Sequence, residues 1–527
     1  MQVRSHATGD GTAWLLRGPA RAVGHTGLWS LLSASLLNGD DRSVRLVCDD
    51  TSLTAPALME AIDGLPPLPP SCFVGLHLPR SAAMVAAVLA VWRAGSTYMP
   101  LPCEFPAPRI EAIVAACRPE IVVTQAGHDL LADYAVLAEA VCLGLKLIIL
   151  ARREASPTPA ARSGRSTCYV AHTSGSTGAS KSLVVSHRAL LNRLAALSAL
   201  AAPTTDDAIL FKTSLAFDVH VWEFVLPLAT GARLVIHPQS RYFDLGEVAG
   251  LLVSQGVTIA GFVPQLLDSL LDRPAFVAGN RLRLVFCGGE GWTPRLARRF
   301  HERLPGCTLR NSYGPAETTL AVANWLVPKV PPPESIELGE PLDNTIFFIE
   351  ELSRDGDQVV GHLCIGGPQV ADGYVDPALN APFYEDMIDG QPTPFYRTGD
   401  MVALHTTTGA LRFRGRRDQQ IKLNGVRIEL AEIEAAIATL DGITACVVSL
   451  GPADRPALHA YYAVEAGRMI EPATVRRHLS QLLPSTHVPQ HYTQVDAFDL
   501  GPTGKIDRGR LVASEGRPGL CPGPAGA

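Results

Sequence analysis

The chain has 527 residues, of which 47% are hydrophobic and 18% charged, with a formal net charge of -6. That length exceeds what one compact core supports and points to at least two domains, while the acidic balance excludes a basic nucleic-acid-binding face. Eleven cysteines are scattered without a Cys-x-x-Cys pair or ligand-like Cys/His spacing. They read as core thiols in a reducing, cytosolic compartment.

Residues 1–11 are polar and lack the apolar run of a signal peptide. Short apolar runs at 44–48, 73–78, 121–124 and 147–150 predict buried strands, and 82–93 and 109–117 predict helices between them. The apolar stretches 82–91 and 136–150 are short or broken by Glu139 and Lys146, so no membrane-spanning segment is expected. A strand at 168–171 feeds a Ser/Thr/Gly-rich loop. Beyond it, strands at 208–212, 233–237, 258–262, 282–287 and 308–311 alternate with helices at 221–229, 246–255, 265–272 and 294–304. That alternation predicts α/β architecture, a large N-terminal domain of doubly wound sheets covered on both faces. Past Pro331 the strands shorten (345–349, 361–366, 411–415), which predicts a small β-rich lobe. From residue 418 to 511 the pattern is that of a small, compact α+β C-terminal domain following residues 1–417. The Gly- and Pro-rich residues 512–527 are expected to be a disordered tail.

The loop after the 168–171 strand reads Ala171-His172-Thr173-Ser174-Gly175-Ser176-Thr177-Gly178-Ala179-Ser180-Lys181. Backbone N–H groups and hydroxyls of such a loop can wrap phosphate oxygens, and Lys181 adds a positive charge. The spacing is not that of Gly-x-x-x-x-Gly-Lys-[Ser/Thr]. The loop resembles the phosphate loop of the adenylate-forming superfamily, which includes acyl-CoA synthetases, luciferases and the adenylation domains of nonribosomal peptide synthetases. Further runs resemble that family in the same order. They are Arg93-Ala94-Gly95-Ser96-Thr97-Tyr98-Met99-Pro100-Leu101, Asn311-Ser312-Tyr313-Gly314-Pro315-Ala316-Glu317-Thr318-Thr319 and Tyr396-Arg397-Thr398-Gly399-Asp400. Gly415-Arg416-Arg417-Asp418-Gln419-Gln420-Ile421-Lys422 and Gly501-Pro502-Thr503-Gly504-Lys505-Ile506-Asp507-Arg508 follow.

The resemblance implies that Thr173, Ser174, Gly175, Ser176, Thr177, Gly178, Lys181 and Gly289 serve ATP. It implies that Tyr313 stacks on adenine and that Asp400, with Arg416, holds the ribose. Glu317 would hold Mg²⁺, which favours carboxylate oxygens together with substrate phosphates. Lys505 would be the catalytic residue, its ammonium stabilising charge that builds up as a carboxylate attacks the α-phosphate of ATP. Asp418 falls at the family's hinge, about which the small domain turns between adenylation and thiol transfer.

Within the superfamily, Phe217-Asp218-Val219-His220-Val221-Trp222-Glu223 resembles the run found in amino-acid-activating members. There the aspartate pairs with the substrate α-ammonium, a contact that fatty- and aryl-acid substrates do not offer. Asp218 could instead be a helix N-cap. The pocket implied by the resemblance is Asp218, Val219, Trp222, Gly261, Phe286, Gly288, Ser312, Leu320 and Ala321, closed by Lys505. Apart from Asp218 and Lys505 it carries no charge, so a charged substrate side chain would lack a buried partner. The small residues are expected to leave volume between Trp222 and Phe286 for a bulky apolar or aromatic side chain.

Two positions depart from the family pattern: Ala316 replaces a phosphate-contacting threonine, and His362 replaces a glutamate. The chain stops soon after Lys505, which suggests a free-standing adenylation enzyme that loads a separate peptidyl carrier protein in trans. Some members also need a small MbtH-like protein as partner. Two other readings compete, an acyl- or aryl-CoA synthetase and a non-catalytic nucleotide-binding scaffold.

Overall fold

The structure is a computed structural model that describes residues 2–8, 11–38, 43–125, 132–153, 167–173, 181–238, 244–330, 334–417, 420–451, 456–465, 467–496 and 498. Two largely parallel sheets form its centre. One runs Glu340–Pro341, Ala323–Leu326, Thr308–Tyr313, Leu284–Gly288, Ile259–Phe262, Ala208–Phe211, Arg233–Ile236, Val44–Cys48 and Thr51–Thr54. Its six central strands, from Thr308–Tyr313 to Val44–Cys48, are mutually parallel. The second sheet centres on Thr167–Thr173, Thr97–Pro100, Phe73–His77 and Ile121–Thr124, also parallel, with antiparallel strands at both edges.

Helix Ala82–Arg93 lies in the core that the two sheets share, and every residue from Ala82 to Trp92 is buried. Its sequence is apolar on all sides because it has no solvent face to serve. Helices His187–Ala201 and His220–Thr230 join the same core. No helix among the described residues is long and apolar enough to cross a membrane. Each cysteine described is a free thiol, most of them buried.

The β-rich lobe is larger than its sequence suggests. Strands Gln2–Thr8 and Gly11–Arg17 form a hairpin whose second strand pairs antiparallel with Ile346–Asp355, so the chain's first residues complete a sheet made mostly past residue 340. Ala13, Trp14, Leu15 and Leu16 are buried there. A second departure is Tyr134–Cys142, which pairs with Leu145–Arg152 at a sheet edge and leaves Val136, Leu137 and Val141 exposed.

From residue 420 onward the chain builds hairpin Gln420–Leu423/Val426–Glu429, helix Leu430–Ala438, a three-stranded mixed sheet and helix Pro472–Leu482. Ile428, Ile433, Ile437, Val448, Tyr462, Val475 and Leu479 give it a core of its own. Asn424 and Gly425, at φ 54° and 76°, close the hairpin. This is the left-handed pair that a tight two-residue turn needs.

Candidate active site

Ligands of open α/β sheets bind beyond the carboxyl ends of the strands, and the predicted pocket residues gather there. Parallel register sets Gly261 beside Phe286 and Gly288 beside Ser312. A Cβ at Gly288 would lie 2.2 Å from the Ser312 carbonyl oxygen, so only glycine fits. A Cβ at Gly261 would lie 2.9 Å from the Trp222 ring. Trp222 thus fills the space that Gly261 leaves, and it meets Phe286 edge to face with centroids 5.6 Å apart. The two rings touch each other and form one wall, so a side chain would lie against them and not between them as expected.

Asp218 sits just before helix His220–Thr230, whose cap residue is Val219 and makes no side-chain cap bond. The Asp218 carboxylate turns elsewhere and accepts the Leu320 N–H at 3.2 Å. Burial pushes its carboxyl above the ordinary value, the Leu320 bond opposes this, and nearby Glu317 adds to the rise. Leu320 is buried and Val219 exposed, Ala321 is half-buried, and Ser312 Oγ accepts from Asn324 Nδ2 at 3.0 Å. Thr319 and Leu320 both hold positive φ, 56° and 62°. For a β-branched residue that is a strained conformation.

On the nucleotide side, Thr173 and Lys181 are register partners on antiparallel strands, one on each side of the loop between them. Ser174, Gly175, Ser176, Thr177 and Gly178 lie outside the described residues, as do Asp418 and Lys505. Asp400 faces Arg416 across two paired strands and accepts its Nη1 at 2.5 Å. The Tyr313 hydroxyl also donates to Asp400, and the ring is buried in the lobe core.

Glu317 is fully buried. Its Oε1 accepts the Tyr374 hydroxyl at 2.5 Å, and Arg427 Nη1 lies 2.8 and 2.9 Å from its two oxygens. Burial would raise the Glu317 carboxyl, but the Arg427 charge and the Tyr374 hydroxyl outweigh it and hold the group below its ordinary value. Among the described residues no group of three or more His, Cys, Asp or Glu side chains could hold a metal ion. A lone carboxylate still fits Mg²⁺ where nucleotide phosphates and water complete the shell.

Arg427 and its neighbours are the functional candidates that the sequence reading left without a role. The hairpin carrying Arg427 and Lys422 is seated on the site. Gly425 N–H donates to Glu290 at 3.1 Å, and a Cβ at Gly289 would lie 3.6 Å from the Gly425 Cα. Burial lowers the Lys422 ammonium, whose charged neighbours include Asp400, Arg427, Arg416 and Glu317. Farther out, Arg109 on helix Ala107–Cys117 donates to Glu432 at 2.6 Å, with His487 Nε2 3.8 Å from the other Glu432 oxygen. The Asn424-Gly425 pair between alternating residues was the available sequence signal for this hairpin.

Residues 68–375 match the family described as AMP-binding enzyme. Zwittermicin A synthase ZmaJ of Bacillus cereus is 31% identical over 455 residues, 83% of this chain and 85% of that protein. Tyrocidine synthase 3 of Brevibacillus parabrevis is 34% identical over 85% of this chain but only 7% of its own length. The chain thus spans a small part of that relative. Among solved structures, the Vibrio cholerae adenylation domain AlmE in complex with glycyl-adenosine-5'-phosphate superposes with a TM-score of 0.75 at 20% identity, covering 94% of this chain and 99% of that one. The fold is that of an adenylation domain, two sheet layers and a β lobe followed by a small C-terminal unit. The chain belongs to the AMP-binding enzyme family.

Proposed function

We propose that this chain activates the carboxylate of an amino acid with ATP and then passes the acyl group to a thiol. In the first step a carboxylate oxygen bonds to the α-phosphorus, the bond to the β-phosphate breaks, and pyrophosphate leaves. In the second a thiolate bonds to the acyl carbon and AMP departs. The observation that carries this reading is Asp218, a carboxylate that accepts the Leu320 N–H and stands four residues before Trp222, whose ring packs on Phe286 beside Gly261. A fixed anion there suits an α-ammonium and is costly opposite a plain fatty or aryl acid.

Asp400 and Arg416 would hold the ribose, Tyr313 the adenine, and Thr173 to Lys181 with Gly289 the phosphates. Glu317 would hold Mg²⁺, which neutralises charge on the departing pyrophosphate when bound. Lys505 would bridge carboxylate and phosphate in the first step. Turning about Asp418, residues 418–511 would then withdraw it, and the hairpin with Lys422 and Arg427 would face the site in the second step. The acceptor thiol would be the phosphopantetheine arm of a separate carrier protein. The substrate side chain is uncharged, bulky and apolar or aromatic, resting against the Trp222–Phe286 wall.

The test is ATP–pyrophosphate exchange over a panel of proteinogenic and nonproteinogenic amino acids, with and without an MbtH-like protein. Exchange with an uncharged, bulky amino acid supports the proposal. Thioester formation on coenzyme A from acids lacking an amine would replace it with the acyl-CoA synthetase reading. Nucleotide binding with no exchange on any acid would leave the scaffold.

A further inference from the structure

The expected metal ligand already has a cation. Arg427 Nη1 bridges both Glu317 oxygens at 2.8 and 2.9 Å, while the Tyr374 hydroxyl holds Oε1. The carboxylate has no exposure to solvent. A buried carboxylate is stable only with a compensating positive charge, and here that charge comes from a hairpin more than a hundred residues along the chain. The guanidinium cannot be shed by a side-chain rotation that leaves its backbone unmoved without stranding Glu317. The backbone itself is pinned: Gly425 N–H is bonded to Glu290, and a Cβ at Gly425 would lie 2.3 Å from Val263. Mg²⁺ binds carboxylate oxygen at roughly 2.0–2.1 Å. A guanidinium within hydrogen-bond distance of both oxygens then occupies the ion's approach, and two cations crowded on one buried carboxylate repel.

We propose that Arg427 and Mg²⁺ are mutually exclusive partners of Glu317, so that the seated hairpin carries a substitute cation into the place of the metal. This deepens the adenylation reading and rests on it. The consequence is an order of events. The hairpin must leave before metal and ATP bind, and it can return only when the ion has departed with pyrophosphate. Arg427 is thus a positioning residue that keeps Glu317 neutralised through the metal-free half of the cycle.

The probe is Mn²⁺ titrated into the full chain with α,β-methylene-ATP, followed by the loss of free-ion electron paramagnetic resonance signal. Seating lowers apparent affinity by the fraction of molecules with the hairpin displaced. Arg427→Gln, which keeps hydrogen-bonding capacity but removes the charge, should therefore tighten Mn²⁺ binding by about tenfold. Arg427→Lys should stay near wild type, and AMP binding without divalent ions should not change. Unchanged or weaker Mn²⁺ binding in Arg427→Gln overturns the proposal. Should that variant fold poorly, hydrogen exchange on the wild-type chain decides. Amides of residues 420–429 should exchange faster with Mg²⁺ plus the analogue than with either alone, and equal rates would sink the idea. Glu317→Gln separates the two layers: if it leaves Mn²⁺ affinity intact, the assignment of Glu317 to the metal fails first.

Discussion

The two halves of the site are built by different forces. At the strand ends, Gly261, Phe286, Gly288 and Ser312 owe their positions to parallel register and to rings in contact. On the phosphate side, three carboxylates, Glu317, Asp400 and Glu432, each face a guanidinium, from Arg427, Arg416 and Arg109 respectively. Two of these pairs join residues before 418 to residues after 419. Packing fixes a shape and tolerates little rearrangement. Charge pairs can be exchanged for other charges. On the proposed function, a pocket that must select one side chain is thus set in the sheet, and a centre that must admit and release phosphates is assembled from ion pairs.

Four substitutions test that division, from the largest expected effect to the smallest. Lys505→Ala should lower pyrophosphate exchange by a factor on the order of 10²–10³ or more, as expected for loss of a group aimed at developing charge. Its melting temperature should not move, and near-normal exchange would remove Lys505 from the reaction. Asp218→Asn should cost about 2–5 kcal/mol in kcat/KM for the amino acid, as expected on truncating a buried charge pair. The same variant has a pH signature. Asp218 must be ionised to hold the ammonium, and burial raises its pKa. Wild-type kcat/KM should therefore fall as pH drops through a pKa higher than that of an ordinary aspartate, and Asp218→Asn should lose that limb.

Arg109→Gln should leave Glu432 buried without its partner, costing about 1–3 kcal/mol. If the pair holds the C-terminal unit in place, single-turnover thiol transfer should slow while pyrophosphate exchange persists. Equal losses in both steps would mean that the pair only supports the fold. Gly261→Ala probes the opposite region. The new methyl would lie 2.9 Å from the Trp222 ring, and overpacking typically costs about 1–3 kcal/mol. Trp222 already rests on Phe286, so the strain should appear as a raised KM and a shift toward smaller amino acids. An unchanged substrate panel would show that this wall is softer than its contacts indicate.

The local runs behind the proposed pocket were legible in the sequence because they sit at strand ends. The family resemblance named Asp218, Trp222, Gly261 and Phe286 as one set, and the strands read at 258–262 and 282–287 are indeed parallel neighbours that carry Gly261 and Phe286 side by side. What escaped was pairing across long separations. Glu317 and Arg427 are 110 residues apart, and nothing in either local pattern names the other. The hairpin at Gln2–Arg17 was invisible for the same reason, since its partner strand is Ile346–Asp355. Trp222 was read as one side of a gap because ring orientation, which closes it, is not encoded in spacing. The apolar residues Val136, Leu137 and Val141 lie exposed on an edge strand to which the sequence pattern assigned no element.

The turn at Thr319 and Leu320 carries a consequence for how this protein can change. Two successive non-glycine residues in the left-handed region store about 1–3 kcal/mol each, against a folding free energy that is typically only about 5–15 kcal/mol. In return, the Leu320 amide is aimed at Asp218. Glycine at either position would relax the chain and slacken the grip on Asp218, the proposed anchor for the substrate amine. The spring that aims this amide at Asp218 is also a reserve of stability waiting to be released.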